Sequence, residues 1–218
     1  MIPFSIFDRE YFFLNSPDDV CFPFLTPDED TFYKPYESEA LPLGQKPLIF
    51  TNGMLELCFE MGQIPVDPPP DVLFSADDLV VREHIAKKLE DMEIPNLVIQ
   101  PAIYIDHKKK WYEDFWFLTF TERFICWDKK LSKYEHEPSY TDPIRHSIYA
   151  YILDAELLEK TPLRERLLFK MGGATLSPVL VHKSIVELFR MRGVDIISVA
   201  DKAKKSVQFM MDYEEEEE

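Results

Sequence analysis

The side chains with chemical reach in this chain of 218 residues are three cysteines, five histidines and 40 carboxylates. Cys21, Cys58 and Cys126 are odd in number and far apart, so they read as buried, reduced thiols and not as a disulfide framework. A thiol nucleophile needs a base beside it. His84, His107, His136, His146 and His182 show no spacing that supplies one locally. Cys126 lies in the apolar run Phe124-Ile125-Cys126-Trp127, where burial raises a thiol's pKa and dulls it. There is no G-x-S-x-G elbow, no G-x-x-x-x-G-K-[ST] loop, no H-E-x-x-H helix and no C-x-x-C pair. The residues therefore predict no catalytic group, no metal site and no cofactor. An enzyme whose site is assembled from dispersed residues, such as Cys126 or His146 with a carboxylate of shifted pKa, is the alternative.

The carboxylates point to binding. Asp28-Glu29-Asp30 and Asp77-Asp78 lack the D-x-D-x-D-G spacing of a calcium loop, and adjacent carboxylates in a strand face opposite ways. They read as solvated turn acids. Glu113-Asp114 is different, because Trp111, Tyr112, Phe115 and Trp116 surround it. Acid interleaved with aromatics suits a protein-binding surface, where rings anchor and charges orient. The same rings also fill sheet cores, which is the expectation for most of them. The candidate binding residues are Asp18, Asp19, Asp28, Glu29, Asp30, Glu37, Glu39, Glu113 and Asp114.

Charge supports that choice. The formal net charge is −16. Residues 1–80 carry 15 Asp and Glu against three basic residues, and the segment from Asp212 carries six acids and no base. Such a field repels nucleic acid and anionic membrane and attracts a basic surface. Lys108-Lys109-Lys110 is a basic run too short to reverse that. The start of the chain lacks the basic and apolar regions of a signal peptide, and no apolar stretch nears the roughly 18 residues of a membrane span. A cytosolic location is the expectation.

These residues need elements to hold them. The pattern predicts an α+β fold, with mixed sheets and a few short amphipathic helices. Proline breaks the first 75 residues into short pieces, with strands at Met1–Phe7 and Tyr11–Leu14 and a helical stretch around Leu48–Glu60. Pro68-Pro69-Pro70 reads as a stiff connector. The expected division is an acidic, proline- and aromatic-rich part over 1–75, an α+β core over 76–211 and a disordered acidic tail over 212–218. Leu97–Ile105 and Trp111–Phe120 read as strands around a hairpin tip at His107–Lys110. Two strand-helix-strand units lie about 100 residues apart. Val81, Ile85 and Leu89 share one helical face, and so do Val181, Ile185 and Phe189. The helices are expected at about Arg82–Met92 and His182–Arg192, with Gly193 ending the second.

The order from Leu79-Val80-Val81 through the aromatic strand into Trp127-Asp128-Lys129-Lys130-Leu131-Ser132-Lys133-Tyr134, then Leu168-Phe169-Lys170-Met171, Val179-Leu180-Val181 and Gly193-Val194-Asp195-Ile196-Ile197, resembles the Imm11-type immunity proteins of bacterial polymorphic toxin systems. The resemblance covers about residues 70–200. It implies an antidote that binds and blocks a cognate toxin, with no catalytic residues to carry over and no shared binding residues. A basic target such as a nuclease fits the acid surplus. An effector-binding chaperone or scaffold is the other reading. Oligomeric state stays open at this point.

Overall fold

The structure, a computed structural model, describes residues 3–29, 47–135 and 145–216. The chain is an α+β protein. In chain order the described elements are α1 (Phe7–Glu10), β1 (Tyr11–Asn15), β2 (Leu25–Pro27), β3 (Leu48–Asn52), α2 (Leu55–Glu60), β4 (Val72–Ser75), β5 (Asp78–Arg82), α3 (Glu83–Asp91), β6 (Leu97–Ile105), β7 (Trp111–Phe120), β8 (Arg123–Phe124), β9 (Lys133–Tyr134), β10 (Ile148–Ala150), α4 (Ala155–Lys160), β11 (Leu168–Met171), β12 (Val179–His182), β13 (Asp195–Ser198) and α5 (Val199–Glu216).

The chain forms two compact units. One comprises Met1–Leu14, Glu122–Glu187 and Ile196–Glu218, and the other Asn15–Thr121 and Leu188–Asp195. This corrects the expected division after residue 75. That point falls inside a hairpin, where β4 pairs antiparallel with β5 and sets Val72 against Val81 and Leu73 against Val80. Cross-strand apolar pairs bury together, so a proline run upstream does not separate them.

The second unit is built on a six-stranded sheet in the order β2-β3-β6-β7-β5-β4. One face carries a core of Leu25, Leu48, Phe50, Leu73, Val80, Ala102, Tyr104, Tyr112, Phe115 and Phe117. On the other, α3 packs over β5 and β7, and Leu79, Val81 and Leu118 are buried there. Helix α3 forms because Ile85 and Leu89 recur at four-residue spacing and Glu83 pairs with Lys87 at 2.9 Å on the solvent side. Glu93 at φ 47 stops it, just before Pro95. Full burial of Ile85 and Leu89 contributes about 1.5–3 kcal/mol each.

The first unit holds a five-stranded sheet in the order β13-β1-β12-β11-β8. Tyr11, Phe13, Trp127, Phe169, Met171 and Leu180 are among its buried core residues. The two echoing segments share an arrangement. Strands β5 and β6 flank β7, and β12 and β13 flank β1; β5 and β12 each pair antiparallel with the preceding strand of a hairpin, β4 and β11.

Between the strands the echo fails. The helix expected over His182–Arg192 is reduced to a single 3-10 turn at Val186–Leu188. Strand pairing instead runs on past the expected helix start: the His182 N–H donates to Leu167 O at 2.9 Å and the Lys183 N–H to Glu10 O at 2.7 Å. Ile185 and Val186, adjacent and both buried, are β-branched, which lowers helix propensity slightly. Gly193 does adopt positive φ (+88°), and a Cβ there would lie 2.9 Å from Pro70 Cβ. It closes a turn in place of an α-helix.

Three more expectations are corrected. Of the strand expected over Met1–Phe7, the described residues 3–7 form none, and Phe7 opens the short helix α1. The helical stretch expected around Leu48–Glu60 divides into β3 and α2, because Leu48–Phe50 pair in parallel with Ala102–Tyr104 of β6. Helix α5 runs to Glu216, so Asp212–Glu216, expected in a disordered tail, are helical; glutamate propagates a helix well once one is nucleated. Glu217 and Glu218 lie outside the described residues. No helix among the described residues is long and apolar enough to cross a membrane.

Candidate functional site

The site grows from an irregularity in β7. Along the β6–β7 ladder Ala102 faces Phe115, but Tyr104 faces Tyr112, so Ile103 stands opposite both Glu113 and Asp114. The extra residue makes a β-bulge on β7. Strict alternation would send one of two adjacent carboxylates inward. The bulge instead turns Tyr112 and Phe115 into the same core and leaves Glu113 and Asp114 both exposed.

A second irregularity opens the edge beside them. Strand β5 pairs with β7 only from Leu79–Leu118 to Arg82–Phe115. There the chain leaves the sheet for α3, and Trp111–Asp114 keep a strand partner on the β6 side alone. Helix α3 packs over β5 and β7. Trp111 stays 53% exposed, and Trp116 is partly buried. The result is an open groove of about 710 Å³ lined by Trp111, Glu113, Asp114 and Trp116, with Pro68, Arg82, Glu83, Lys110 and Tyr112 around them.

Arg82 organises the wall. Its guanidinium carbon lies 4.2 Å from the centre of the Phe115 ring and 5.3 Å from that of Tyr112. It pairs with Asp114, and its Nε sits 3.4 Å from Asp71 Oδ1, too poorly aimed for a hydrogen bond. The side chain is only 13% exposed. A guanidinium so desolvated needs these carboxylates, and it consumes the charge of Asp114 in return. Glu83 is engaged with Lys87. Among the described residues no cation lies within ion-pair distance of Glu113.

The hairpin between β6 and β7 holds the far end. Buried Asp106 accepts from the Lys108 and Lys110 N–H groups through Oδ1 (2.8 and 2.9 Å) and from the Tyr112 hydroxyl through Oδ2 (3.2 Å). Lys109 takes φ 63° in that turn. Lys110 Nζ lies 4.5 Å from the centre of the Tyr112 ring. Lys108 pairs with Asp67, beside Pro68, and its hydrogen bond holds the Asp67 carboxyl below the usual carboxylate range. Burial pushes the Tyr104 hydroxyl far above its ordinary pKa, so it stays neutral beneath the groove.

Of the nine candidate residues, Glu113 and Asp114 line this groove, while Asp18, Asp19, Asp28 and Glu29 do not. Asp18, Asp19 and Glu29 are exposed, and Asp28 is half-buried at the end of β2. Asp19 has a structural task, accepting the Cys21 N–H at 2.9 Å. Asp30, Glu37 and Glu39 lie outside the described residues. Arg82 was missed as a site residue; expected as the first residue of a helix, it instead continues the inward side of β5 after Val80. That two-residue spacing of a cation behind an apolar strand position was the available signal.

Cys126 is fully buried in the first unit's core, where burial drives its thiol pKa far upward. His146 packs against Trp127 and Tyr134 with Nδ1 3.1 Å from Glu135 O. Among the described residues no three His, Cys, Asp or Glu side chains gather as a metal site. The chain matches no protein-family model, and a search of curated proteins finds no match to it.

Proposed function

We propose that this chain is a cytosolic antidote, a protein that binds a toxin with a basic surface and covers it without transforming any substrate. One observation carries the reading: the bulge in β7 sets Glu113 and Asp114 side by side on an uncovered sheet face, flanked by Trp111 and Trp116. Rings of this kind anchor a partner, and carboxylates orient it. The surplus of acid, −16 overall, would speed encounter with a cationic protein such as a nuclease and discourage binding to nucleic acid itself. The resemblance to Imm11-type immunity proteins points the same way.

The test is a titration calorimetry experiment with the product of the neighbouring gene, paired with co-expression of the two in growing cells. The expected result is a stoichiometric complex that weakens with salt, together with rescue of growth. Absence of binding at low salt would overturn the proposal. Binding without rescue would replace the antidote with a loading chaperone.

A further inference from the structure

We infer that the groove beside the β7 bulge is a slot for an arginine side chain of the partner protein, its guanidinium laid against Trp111 and Trp116 and paired with Glu113. The inference rests on the antidote reading for its partner, but its chemistry is carried by separate observations.

The carboxylates of the groove are unequal. Asp114 is spent on Arg82 and Glu83 on Lys87, whereas no cation lies within ion-pair distance of Glu113 among the described residues. Glu113 therefore offers an unneutralised charge inside a concave, partly apolar surface. Trp111 and Trp116 line the same groove, and Trp111 keeps about half its surface open. An indole face attracts a cation, and a planar guanidinium can stack on it while bonding a carboxylate edge-on. A lysine ammonium gains the charge but not the stacking.

The molecule already uses this chemistry one step away. Arg82 lies over Phe115 and Tyr112 and pairs with Asp114. The slot repeats the combination with Trp111, Trp116 and Glu113, while the guanidinium in its lining, that of Arg82, is paired with Asp114. Lys110, the other cation of the lining, lies over Tyr112. Its charge opposes an incoming arginine, so it tunes the slot downward. A second copy of this chain is a poor occupant, because both surfaces would be acidic.

The experiment uses the full chain and three synthetic 12-residue peptides that differ at one position: arginine, lysine or citrulline, the neutral isostere of arginine. Binding is read by tryptophan fluorescence. The expected order is arginine, then lysine, then citrulline, with about tenfold between first and last, the loss expected for an unpaired charge–carboxylate contact. Glu113→Gln should remove that difference, Trp111→Ala should weaken all three peptides, and Lys110→Met should tighten the arginine peptide. Equal binding of the arginine and citrulline peptides, or an unchanged difference in Glu113→Gln, would overturn the slot. Failure of the slot is distinguishable from failure of the antidote. A toxin complex equally tight in wild type and Glu113→Gln refutes the slot alone; arginine-selective binding without rescue of growth supports the slot and refutes the antidote.

Discussion

The guanidinium of Arg82 stacks on the ring of Phe115, 4.2 Å from its centre and directly across the β5–β7 register. The two residues lie 33 positions apart and meet because β5 ends where the β7 bulge begins. The contact seals the end of the core, fixes Asp114 and leaves Glu113 as the available charge.

Arg82 is expected to matter for stability before it matters for binding. Arg82→Ala removes a stacked, nearly buried cation and strands Asp71 and Asp114, at a cost of about 2 kcal/mol. Arg82→Lys keeps the charge but loses the planar stack, at a cost of about 1 kcal/mol. Urea denaturation measures both, and unchanged midpoints would contradict the assignment.

Adjacent carboxylates should behave differently. Asp114→Asn loosens Arg82 and costs about 1 kcal/mol, whereas Glu113→Gln stays within about 0.5 kcal/mol of wild type. Thermal and urea unfolding of the two variants compare them directly. Equal costs would mean that Glu113 has a structural partner after all.

Acid outside the groove acts through the long-range field. Charge reversal at exposed Asp18 and Glu29 is expected to slow association with a basic partner by about threefold at low salt and to leave dissociation nearly unchanged. Stopped-flow rates at two ionic strengths separate the terms. A change confined to dissociation would place these residues inside the interface.

Folding stability should fall as pH drops below neutrality. His182 is buried against Tyr11, with Ser184 Oγ 2.8 Å from Nδ1 and Glu10 Oε2 3.7 Å from Nε2. Burial lowers its pKa from the ordinary 6.5, Arg166 and Lys183 lower it further, and Glu10 opposes them. The unfolded chain thus binds a proton near pH 6.5 where the folded chain does not, and stability is lost as pH falls below that point. Hydrogen bonding to Lys183 holds Glu10 below its ordinary 4.5, which adds a second loss under that pH. Urea titrations of His182→Gln should show a flatter limb between about pH 7 and 5. An unchanged limb would remove His182 from the account.

Thiol chemistry tests the nucleophile alternative. Cys58 and Cys126 are fully buried, and Cys21 is half-buried with its thiol pushed up to about 11, burial being the largest cause and the Asp19 hydrogen bond the next. A disulfide reagent at neutral pH is expected to modify Cys21 slowly and the other two only after denaturation. Rapid modification of native Cys126 would reopen the enzymatic reading.

Much of the second unit was legible from local pattern. Leu97–Ile105 and Trp111–Phe120 are strands with the expected bounds, the tip between them is a hairpin, and Glu83–Asp91 is the helix that the spacing of Ile85 and Leu89 required. Each signal lies within a dozen residues, where side-chain period and turn chemistry act alone. The helix after His182 had the same periodic signal and did not form: strand pairing continues through Lys183, whose N–H donates to Glu10, 173 residues away in the chain, and only a 3-10 turn follows at Val186–Leu188. No local pattern carries that competition.

By itself the sequence determined that this protein is strongly acidic, where along the chain the acid lies, and that aromatic residues surround Glu113 and Asp114. Net charge is a sum over residues and does not depend on how they are folded. Tertiary structure alone decided which carboxylate is free to act. Asp114 is neutralised because β5 delivers Arg82 to it, 32 residues away in the chain, and both acids face outward because Ile103 of β6 opposes two residues in place of one. Availability of a charge is a property of its neighbours, and only the pairing of distant strands chooses them.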